Sequence, residues 1–444
     1  MSPPALKPDP VRADALPGTS RHRRRPLAST THDDDEELLM SGCLGCSCER
    51  AAENESGGDR VLLATRVRHN QRAVRDALAD LPGVSEPGPG LIEVRGHDPA
   101  WVIRTARAAL TSVEADEVRA LIPAPHRTDL IAQALTASSL TQLAARAEHA
   151  DLLPLFEDEE TAFHAVYQPI VSLTGDSPLP PAGPGPADVV GYEALLRATG
   201  PNGPIMPDQL FGAAADAGWL HVLDRVGRTS ALRGAAGWLG DATLFVNFLP
   251  TTIYRPEVCL ATTERAARQA GIDLGQVVFE VTESERVTDL DHLSRVFDYY
   301  RQQGCRVALD DLGAGYSSLN MLVRLRPDVV KLDKEIVGRL PDPSSRAVVA
   351  AVVEIAASYG GTVLAECIET REQALSAREL GVTLGQGWYF GRPQDRRERQ
   401  DDGTPHRARP TGVASPREAL TRSGDDPAVR VPAPRSGSDR EVRA

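Results

Sequence analysis

Two adjacent carboxylates, Asp310 and Asp311, follow a short apolar run and precede a glycine-rich segment. Residues 306–309 have the composition of a β-strand, and the following Leu312-Gly313-Ala314-Gly315 cannot prolong it, so both carboxylates stand at the carboxyl end of that strand. Adjacent Asp side chains at a strand end repel each other unless a cation lies between them, and hard divalent cations take oxygen ligands. The pair indicates a metal site, with a solvated turn as the alternative for the pair taken alone.

The same arrangement, an apolar run with a polar end, recurs along the main part of the chain. Eight such runs alternate with amphipathic segments of helical length, which predicts an α/β fold of the TIM-type (β/α)8 barrel class. Because the carboxyl ends of barrel strands share one face, their polar residues should meet at one mouth. The predicted strands are residues 165–171, 189–196, 244–247, 277–281, 306–310, 328–332, 362–366 and 383–386.

Five carboxylates and one amide would line that mouth, namely Glu193, Asn247, Glu280, Asp310, Asp311 and Glu366. They cannot all be ionised at close range without cations, and oxygen ligands favour Mg²⁺ or Mn²⁺ over zinc. Two metal ions that share Asp310 would suit the in-line attack of water on a phosphodiester, with Lys331 as a further cation and Arg197 as a phosphate ligand. A lone carboxylate at a strand end is usually solvated, and a strand Lys usually extends its ammonium to solvent, so the argument depends on the set.

Seven sequence motifs, in one order across residues 163–393, resemble the EAL-domain cyclic-di-GMP phosphodiesterase family. The motifs are Tyr167-Gln168-Pro169-Ile170-Val171, Glu193-Ala194-Leu195-Leu196-Arg197, Val278-Phe279-Glu280-Val281-Thr282-Glu283, Asp310-Asp311-Leu312-Gly313-Ala314-Gly315-Tyr316-Ser317-Ser318-Leu319, Lys331-Leu332-Asp333, Ala365-Glu366-Cys367-Ile368-Glu369 and Gly385-Gln386-Gly387-Trp388-Tyr389-Phe390-Gly391-Arg392-Pro393. So many motifs in the family's order make the resemblance specific.

The resemblance implies hydrolysis of cyclic di-GMP to linear pGpG in bacterial signalling, with two Mg²⁺ or Mn²⁺ ions per active site and inhibition by Ca²⁺. One metal would be held by Glu193, Asn247, Glu280 and Asp310, and the second by Asp310 and Asp311 with Glu366 in reach. The implied catalytic residues are Lys331, Glu366 and Glu193, of which Lys331 and Glu366 would position or deprotonate the water. The implied substrate-binding residues are Gln168, Leu195, Arg197, Asp333, Glu369 and Gln386.

Further implications concern the loop, the barrel and its assembly. Glu283 would anchor the loop that follows Asp311, the first barrel strand would run antiparallel to the rest, and the barrel would form a homodimer. Three departures from the family pattern stand out: Cys367 replaces a glycine, the loop has Leu312 and Ala314 where Phe and Thr or Ala are common, and a Pro- and Gly-rich insertion lies between Leu173 and Asp188. Cys367 is the departure most able to disturb the backbone beside Glu366, so we expect it to lower activity.

Composition limits the other classes of function. The chain has 444 residues, 41% of them hydrophobic, and a net charge of −13, which disfavours a nucleic-acid polymer as partner. No apolar run approaches the ~20 residues that a membrane span needs, and residues 1–30 have no apolar core of a secretion signal, so we expect a cytoplasmic protein. The predicted division is a disordered tail at 1–57, a small α/β module of possible regulatory role at 58–125, a helical linker at 126–160, the phosphodiesterase barrel at 161–394 and a second disordered tail at 395–444.

Two other functions remain open from the sequence. The barrel would be a receptor that binds cyclic di-GMP without cleaving it, or a partner-binding scaffold controlled by the first 150 residues. Inactive relatives typically lose metal ligands or the lysine. The enzyme is favoured because Glu193, Asn247, Glu280, Asp310, Asp311, Lys331 and Glu366 are all present.

The first tail contains three closely spaced thiols, Cys43, Cys46 and Cys48, which would suit zinc binding or redox sensing. A fourth ligand is missing nearby, so we predict ordinary reduced thiols. Elemental analysis of protein purified without chelator should therefore find no stoichiometric zinc. About one zinc ion per chain that disappears in Cys46→Ser would contradict this prediction.

Overall fold

The computed structural model describes residues 58–123, 134, 137–174, 189–282, 289–312 and 318–396. The first part is a small α/β module in which a helix follows the first strand and a second helical pair follows the third. Its strands are β1 (Arg60–Ala64), β2 (Val84–Gly88), β3 (Leu91–Arg95), β4 (Arg119–Leu121) and β5 (Ser138–Ser139). Its helices are α1 (Arg68–Ala77), α2 (Pro99–Ala108), α3 (Ser112–Glu117) and α4 (Leu140–Glu148).

The module's sheet has the strand order β2-β3-β1-β4-β5, and its pairings are antiparallel. Because α1 joins β1 to β2 while β3 lies between them, the first four strands form the split β-α-β arrangement of ferredoxin-like folds. The small α/β module predicted from the sequence is thus present among the described residues. Within the predicted helical linker, Ser138 and Ser139 instead form β5, because they pair with Ala120 and Arg119.

Local capping explains where the module's helices begin. The Asp98 carboxylate accepts hydrogen bonds from the backbone N–H groups of Ala100 and Trp101 at the start of α2. Ser139 accepts from the N–H of Gln142 at the start of α4. Helix α4 then packs in two directions, since Leu140, Leu143 and Ala144 belong to the module's core whereas Ala145 belongs to the next core along the chain.

The second part is a closed barrel. Its strands are β6 (Phe163–Ser172), β7 (Val189–Gly200), β9 (Thr243–Asn247), β10 (Val277–Thr282), β11 (Arg306–Leu312), β12 (Val329–Leu332), β13 (Thr362–Ala365) and β14 (Leu384–Gln386), with β8 (Gly203–Ile205) added as a hairpin on β7. β6 pairs with both β7 and β14, which closes the circle, and both pairings are antiparallel whereas the seven other barrel strands run parallel. The predicted TIM-type barrel and its antiparallel first strand are therefore confirmed.

Helices join the strands around the outside of the barrel. They are α5 (Leu153–Glu157), α6 (Glu159–Ala162), α7 (Pro207–Ala217), α8 (Leu220–Ala235), α9 (Pro256–Cys259), α10 (Ala261–Ala270), α11 (Leu290–Gln302), α12 (Ser318–Leu325), α13 (Lys334–Gly338), α14 (Pro343–Ser358) and α15 (Arg371–Glu379). Among the described residues, none of these helices is both long and apolar enough to cross a membrane.

An apolar layer fills the interior of the barrel. Seven strands each contribute one buried residue to it, namely Ile170, Phe245, Val278, Ala308, Val329, Leu364 and Leu384. The eighth strand, β7, contributes Gly191, where an added Cβ would lie 3.3 Å from the Phe245 ring, so the missing side chain leaves room for that ring. The barrel is therefore a packed core and not a pore.

Cys367 adopts a backbone conformation that L-residues avoid, with φ of 50°. This left-handed conformation is the one that glycine tolerates, which explains why the related family has glycine at the matching position. The chain accepts the strain directly after Glu366, where β13 has just ended.

Replacing Cys367 by glycine should stabilise the protein. Relief of roughly 1–2 kcal/mol of left-handed strain exceeds the roughly 0.4–1 kcal/mol that glycine costs through unfolded-state entropy. We expect Cys367→Gly to raise the free energy of unfolding by about 0.5 kcal/mol in denaturant titrations. Cys367→Ala is the control because it keeps the strain, and equal stability of the two variants would contradict the explanation.

Candidate active site

The polar site is formed by the next layer of inward-facing side chains, between the apolar layer and the mouth of the barrel. Successive inward-facing residues of a strand are two apart, so the residue two positions nearer the mouth also points inward. In β12, for example, Val329 belongs to the apolar layer and Lys331 lies above it, and in β6 the antiparallel direction places Gln168 above Ile170. Applied to every strand, this step gives Gln168, Glu193, Asn247, Glu280, Asp310, Lys331, Glu366 and Gln386.

The buried ammonium of Lys331 is the centre of this polar layer. Its Nζ lies 2.7 Å from Glu366 Oε1 and 3.0 Å from both Glu280 Oε2 and Asp310 Oδ2. Glu193 Oε1 is the fourth neighbour, at 3.7 Å. One cation thus faces four carboxylates, and the excess negative charge is enclosed by the barrel.

Burial sets the protonation of these groups. Burial alone would lower the pKa of Lys331, but the surrounding carboxylates, Asp310 foremost, raise it well above its ordinary value, so the ammonium stays charged. Burial raises the pKa of Glu280 and Asp310, with Lys331 acting in the opposite direction. Burial likewise raises the pKa of Glu366 to about 8, against the opposing effect of Lys331. The carboxylates therefore resist full ionisation unless more positive charge is present.

A second set of hydrogen bonds holds Glu193. Gln386 Nε2 donates to Glu193 Oε2 at 2.6 Å and to Gln168 Oε1 at 3.2 Å, and Gln168 in turn donates to the carbonyl of Gly391 at 3.1 Å. Asn247 Nδ2 donates to Glu193 Oε1 at 3.2 Å. The two strands that flank β7 in the barrel wall, together with β14, thereby orient one carboxylate.

Asp311 stands apart from the central cluster. Its φ is 57°, in the left-handed region, and its N–H donates to Asp310 Oδ1 at 2.8 Å. Burial and the neighbouring Asp310 raise its pKa to about 6. Oxygens of Asp310, Asp311 and Glu366 lie within 4.8 Å of one another, as do oxygens of Glu193, Glu280 and Asp310.

The residue set fits divalent metal ions. Two overlapping groups of carboxylate oxygens share Asp310, and Glu280 Oε1 is buried without a hydrogen-bond partner among the described residues. A buried carboxylate oxygen without a donor is unfavourable, and a cation would satisfy it. Hard oxygen donors of this kind suit Mg²⁺ or Mn²⁺.

The remaining predicted site residues differ in how close they come to this cluster. Leu195 and Arg197 lie on the same face of β7 as Glu193, two and four residues towards the mouth, and both are half-buried. The Asp333 carboxylate caps α13 by accepting from the N–H of Glu335 at 2.7 Å. Glu369 is exposed, and its N–H donates to Gln373 Oε1. Glu283 and the glycine-rich loop at 313–317 lie outside the described residues, so the anchoring role of Glu283 stays a prediction.

One buried ion pair near the site was missed in the sequence. Asp224 and Arg228 of α8 form a buried ion pair beside the loop that follows Asn247. The available signal was two opposite charges four residues apart on a helix face that continues with Ala231 and Ala235.

Fold and site together define a (β/α)8 barrel with an antiparallel first strand and a carboxylate-lined mouth around a buried lysine. A family model described as the EAL domain matches residues 149–393, more than half of the chain. The chain belongs to the EAL domain family, and relatives in it are named cyclic di-GMP phosphodiesterases. The family resemblance of the sequence motifs is thereby confirmed.

Individual relatives match this chain over the barrel. An uncharacterized protein of Azorhizobium caulinodans is 32% identical over 268 residues, which are 56% of this chain and 34% of the relative. Cyclic di-GMP phosphodiesterase PdeF of Escherichia coli is 26% identical, covering 53% of this chain and 30% of the relative. For cyclic di-GMP phosphodiesterase RocR of Pseudomonas aeruginosa the identity is 29%, covering 52% and 57%. This chain thus spans about a third of the length of the first two relatives.

Solved structures also match. The PaMucR phosphodiesterase in complex with c-di-GMP is 27% identical, covering 56% of this chain and 98% of that chain, with a TM-score of 0.47. A standalone EAL protein from Vibrio cholerae O395, in its c-di-GMP-bound form, is 30% identical, covering 52% and 92%, with a TM-score of 0.45.

The raised carboxyl pKa values predict how stability depends on pH. The folded protein keeps protons on Asp311 and Glu366 up to about pH 6 and about pH 8, where the unfolded chain has already released them. The folded state therefore loses stability as pH rises through this window. In chelator, Tm should fall from pH 5 to pH 8, and Mn²⁺ should raise Tm more at pH 8 than at pH 5, because the metal binds the ionised carboxylates.

The matched control is Glu366→Gln, which removes one of the two titrating carboxyl groups. Its Tm should depend less on pH than that of the unmodified protein between pH 6 and pH 8. A Tm in chelator that rises over this window, or an identical slope in Glu366→Gln, would show that these carboxyls are not the groups that hold the protons.

Proposed function

We propose that this chain is a metal-dependent phosphodiesterase that hydrolyses cyclic di-GMP to linear pGpG. The observation that carries the proposal is the buried Lys331 ammonium surrounded by four carboxylates. One of them, Glu280, has a buried oxygen with no hydrogen-bond partner in the described part of the chain. Such a cluster is unfavourable for stability alone, since buried charges in excess of their partners cost free energy. A site built to receive divalent cations and an anionic substrate explains the arrangement.

The metal ligands follow from the two oxygen groups. Glu193, Glu280 and Asp310, with the Asn247 amide oxygen, would hold one Mg²⁺ or Mn²⁺ ion, and Asp310, Asp311 and Glu366 would hold the second. When bound, the ions would lower the pKa of a water molecule and stabilise the attacking and leaving oxygens of a phosphodiester.

The chain's own groups have separate tasks at the reacting phosphate. Lys331 Nζ holds Glu366 Oε1, which leaves Glu366 Oε2 to accept a proton from the attacking water. The Lys331 ammonium also stabilises the negative charge that develops on the phosphate oxygens in the transition state.

Substrate positioning falls to residues nearer the rim. Arg197 lies four residues beyond Glu193 on the same strand face, where its guanidinium can bind a phosphate oxygen. Leu195, between Glu193 and Arg197 on that face, offers an apolar contact. Gln168 and Gln386, which lie in the same layer as Glu193, offer amide groups. Asp333 and Glu369 stay predictions as substrate contacts, as do the homodimer through the barrel, inhibition by Ca²⁺ and the division of the chain into tails, module, linker and barrel.

A receptor that binds cyclic di-GMP without cleaving it is the second candidate. The observation that favours it is the strained Cys367, because a shift of its backbone would displace the adjacent Glu366. Both candidates would bind cyclic di-GMP, but only the enzyme would hydrolyse it.

Glu193→Ala provides the direct test of the enzyme. Loss of partners outside the metal shell already costs about 10–100-fold, so loss of a ligand should lower turnover by more than about a hundredfold. Formation of pGpG by purified protein with Mg²⁺ or Mn²⁺ should be followed by chromatography, and circular dichroism should show an intact fold. The matched control is Glu354→Ala, which removes an exposed carboxylate of α14 and should leave turnover unchanged.

The outcomes separate the candidates. Turnover by the unmodified protein that is lost in Glu193→Ala supports the enzyme. Binding of cyclic di-GMP without pGpG formation by the unmodified protein supports the receptor, and near-normal turnover of a folded Glu193→Ala contradicts the metal assignment.

A further inference from the structure

We propose that Asp224 and Arg228 are positioning residues that hold the loop after β9, so that Asn247 presents its amide to the metal site. This inference rests on the proposed function, because Asn247 matters as a ligand only if the site binds a metal. It concerns a buried ion pair on the outside of the barrel wall that makes no contact with the carboxylate cluster itself.

The pair is enclosed between α8, α10 and the loop. The side chains of Asp224 and Arg228 are 2% and 3% exposed, and Arg228 Nη2 and Nε lie 2.9 and 3.1 Å from Asp224 Oδ2. On the far side, Arg228 Nη1 donates to the hydroxyl of Thr263 in α10. The guanidinium therefore fixes the Asp224 carboxylate in one orientation.

The other side of the Asp224 carboxylate faces the loop. Asp224 Oδ1 accepts a hydrogen bond from the backbone N–H of Leu249 at 2.8 Å. The Thr252 hydroxyl lies 2.9 Å from Asp224 Oδ2 and 2.8 Å from the Leu249 carbonyl oxygen, so its single hydrogen joins the loop to itself or to the carboxylate. The carboxylate thus binds the loop two residues after Asn247, and the Thr252 hydroxyl supports this part of the loop in either orientation.

The residue between Asn247 and Leu249 is fixed as well. The N–H of Phe248 donates to the Glu280 carbonyl at 3.0 Å, and its ring packs edge-on against Phe279 and Tyr300, with centroids 6.3 and 5.3 Å apart. The loop is therefore fixed at Phe248 by strand β10 and at Leu249 by helix α8. Asn247 is itself exposed, so the contacts of the two residues that follow it determine its position.

The ion pair does what an apolar pair of the same volume could not do. Buried ion pairs are often no better for stability than apolar residues of similar volume, because both charges lose their hydration. An apolar pair at 224 and 228 would not bind the N–H of Leu249, which lies beyond the end of β9 and has left the sheet. Ligand geometry needs a tolerance near 0.5 Å, and a charged acceptor fixed by a guanidinium supplies that precision.

Two threonines provide a matched test, because each contributes one hydroxyl to the same network from opposite sides. Thr252→Val removes the hydroxyl on the loop side, and Thr263→Val removes the one on the far side of Arg228. Mn²⁺ affinity should be measured by calorimetry without substrate, together with Tm and with turnover on cyclic di-GMP. We expect Thr252→Val to weaken Mn²⁺ binding by about tenfold, as for partners outside a metal shell. Thr263→Val should lower Tm at least as much yet keep the Mn²⁺ affinity, because Arg228 retains both hydrogen bonds to Asp224. Thr252→Ser, which keeps the hydroxyl, should bind Mn²⁺ as tightly as the unmodified protein.

Asp224→Asn provides a second measurement, since it keeps the shape and removes the charge. It should weaken Mn²⁺ binding more than Thr252→Val does. Equal Mn²⁺ affinities in Thr252→Val and Thr263→Val overturn the inference, whether both fall with Tm or both stay unchanged. Should Asp224→Asn not fold, the threonine pair alone decides.

Failure of this inference is distinguishable from failure of the proposed function. Hydrolysis by the unmodified protein with no selective effect of Thr252→Val removes only the inference. Mn²⁺ binding that is selectively weakened by Thr252→Val in a protein without hydrolytic activity removes only the function. An unmodified protein that binds no Mn²⁺ removes both.

Discussion

A single buried ammonium in contact with several carboxylates is the constraint on which the rest of the barrel depends. Lys331 can remain charged inside the protein only because Glu366, Glu280 and Asp310 are within hydrogen-bonding distance. Those carboxylates in turn can be buried only because the ammonium is there, and each lies in, or directly after, a different strand. The closed barrel is what brings these strands together, and the apolar layer beneath them excludes water from the lower side of the cluster.

The sequence predicted the barrel strands because each has an apolar run whose polar end marks the mouth. All eight runs appear as strands, although β7 extends to Gly200 through its hairpin with β8 and β11 extends to Leu312 through pairing with β12. The residues at the ends were identified for the same reason. The sequence did not show which of these residues lie at the centre of the site. Only the folded barrel shows that Lys331 has four carboxylates around it while Glu369 remains exposed.

Other features depend on long-range pairing and left no local pattern. Strand β2 contains Pro87, and β4 and β5 have three and two residues, too few for an alternating pattern. Their register is set by β1 and β3, which are distant along the chain. The role of the Asp224 and Arg228 pair is likewise not visible in the local sequence, because it depends on contact with a loop twenty-five residues further along the chain. Tertiary contacts, which a single stretch of sequence does not encode, determine these elements.

The antiparallel direction of β6 decides where the chain enters the barrel. Phe163, its first residue, pairs with Ala198 near the carboxyl end of β7, so the polypeptide arrives from the preceding helices at the rim that carries the carboxylates. In a barrel with all strands parallel, the first strand would begin at the opposite rim. The segment that joins α4, which packs into the cores on both sides, to β6 therefore reaches the rim that carries the carboxylates directly, without crossing the barrel.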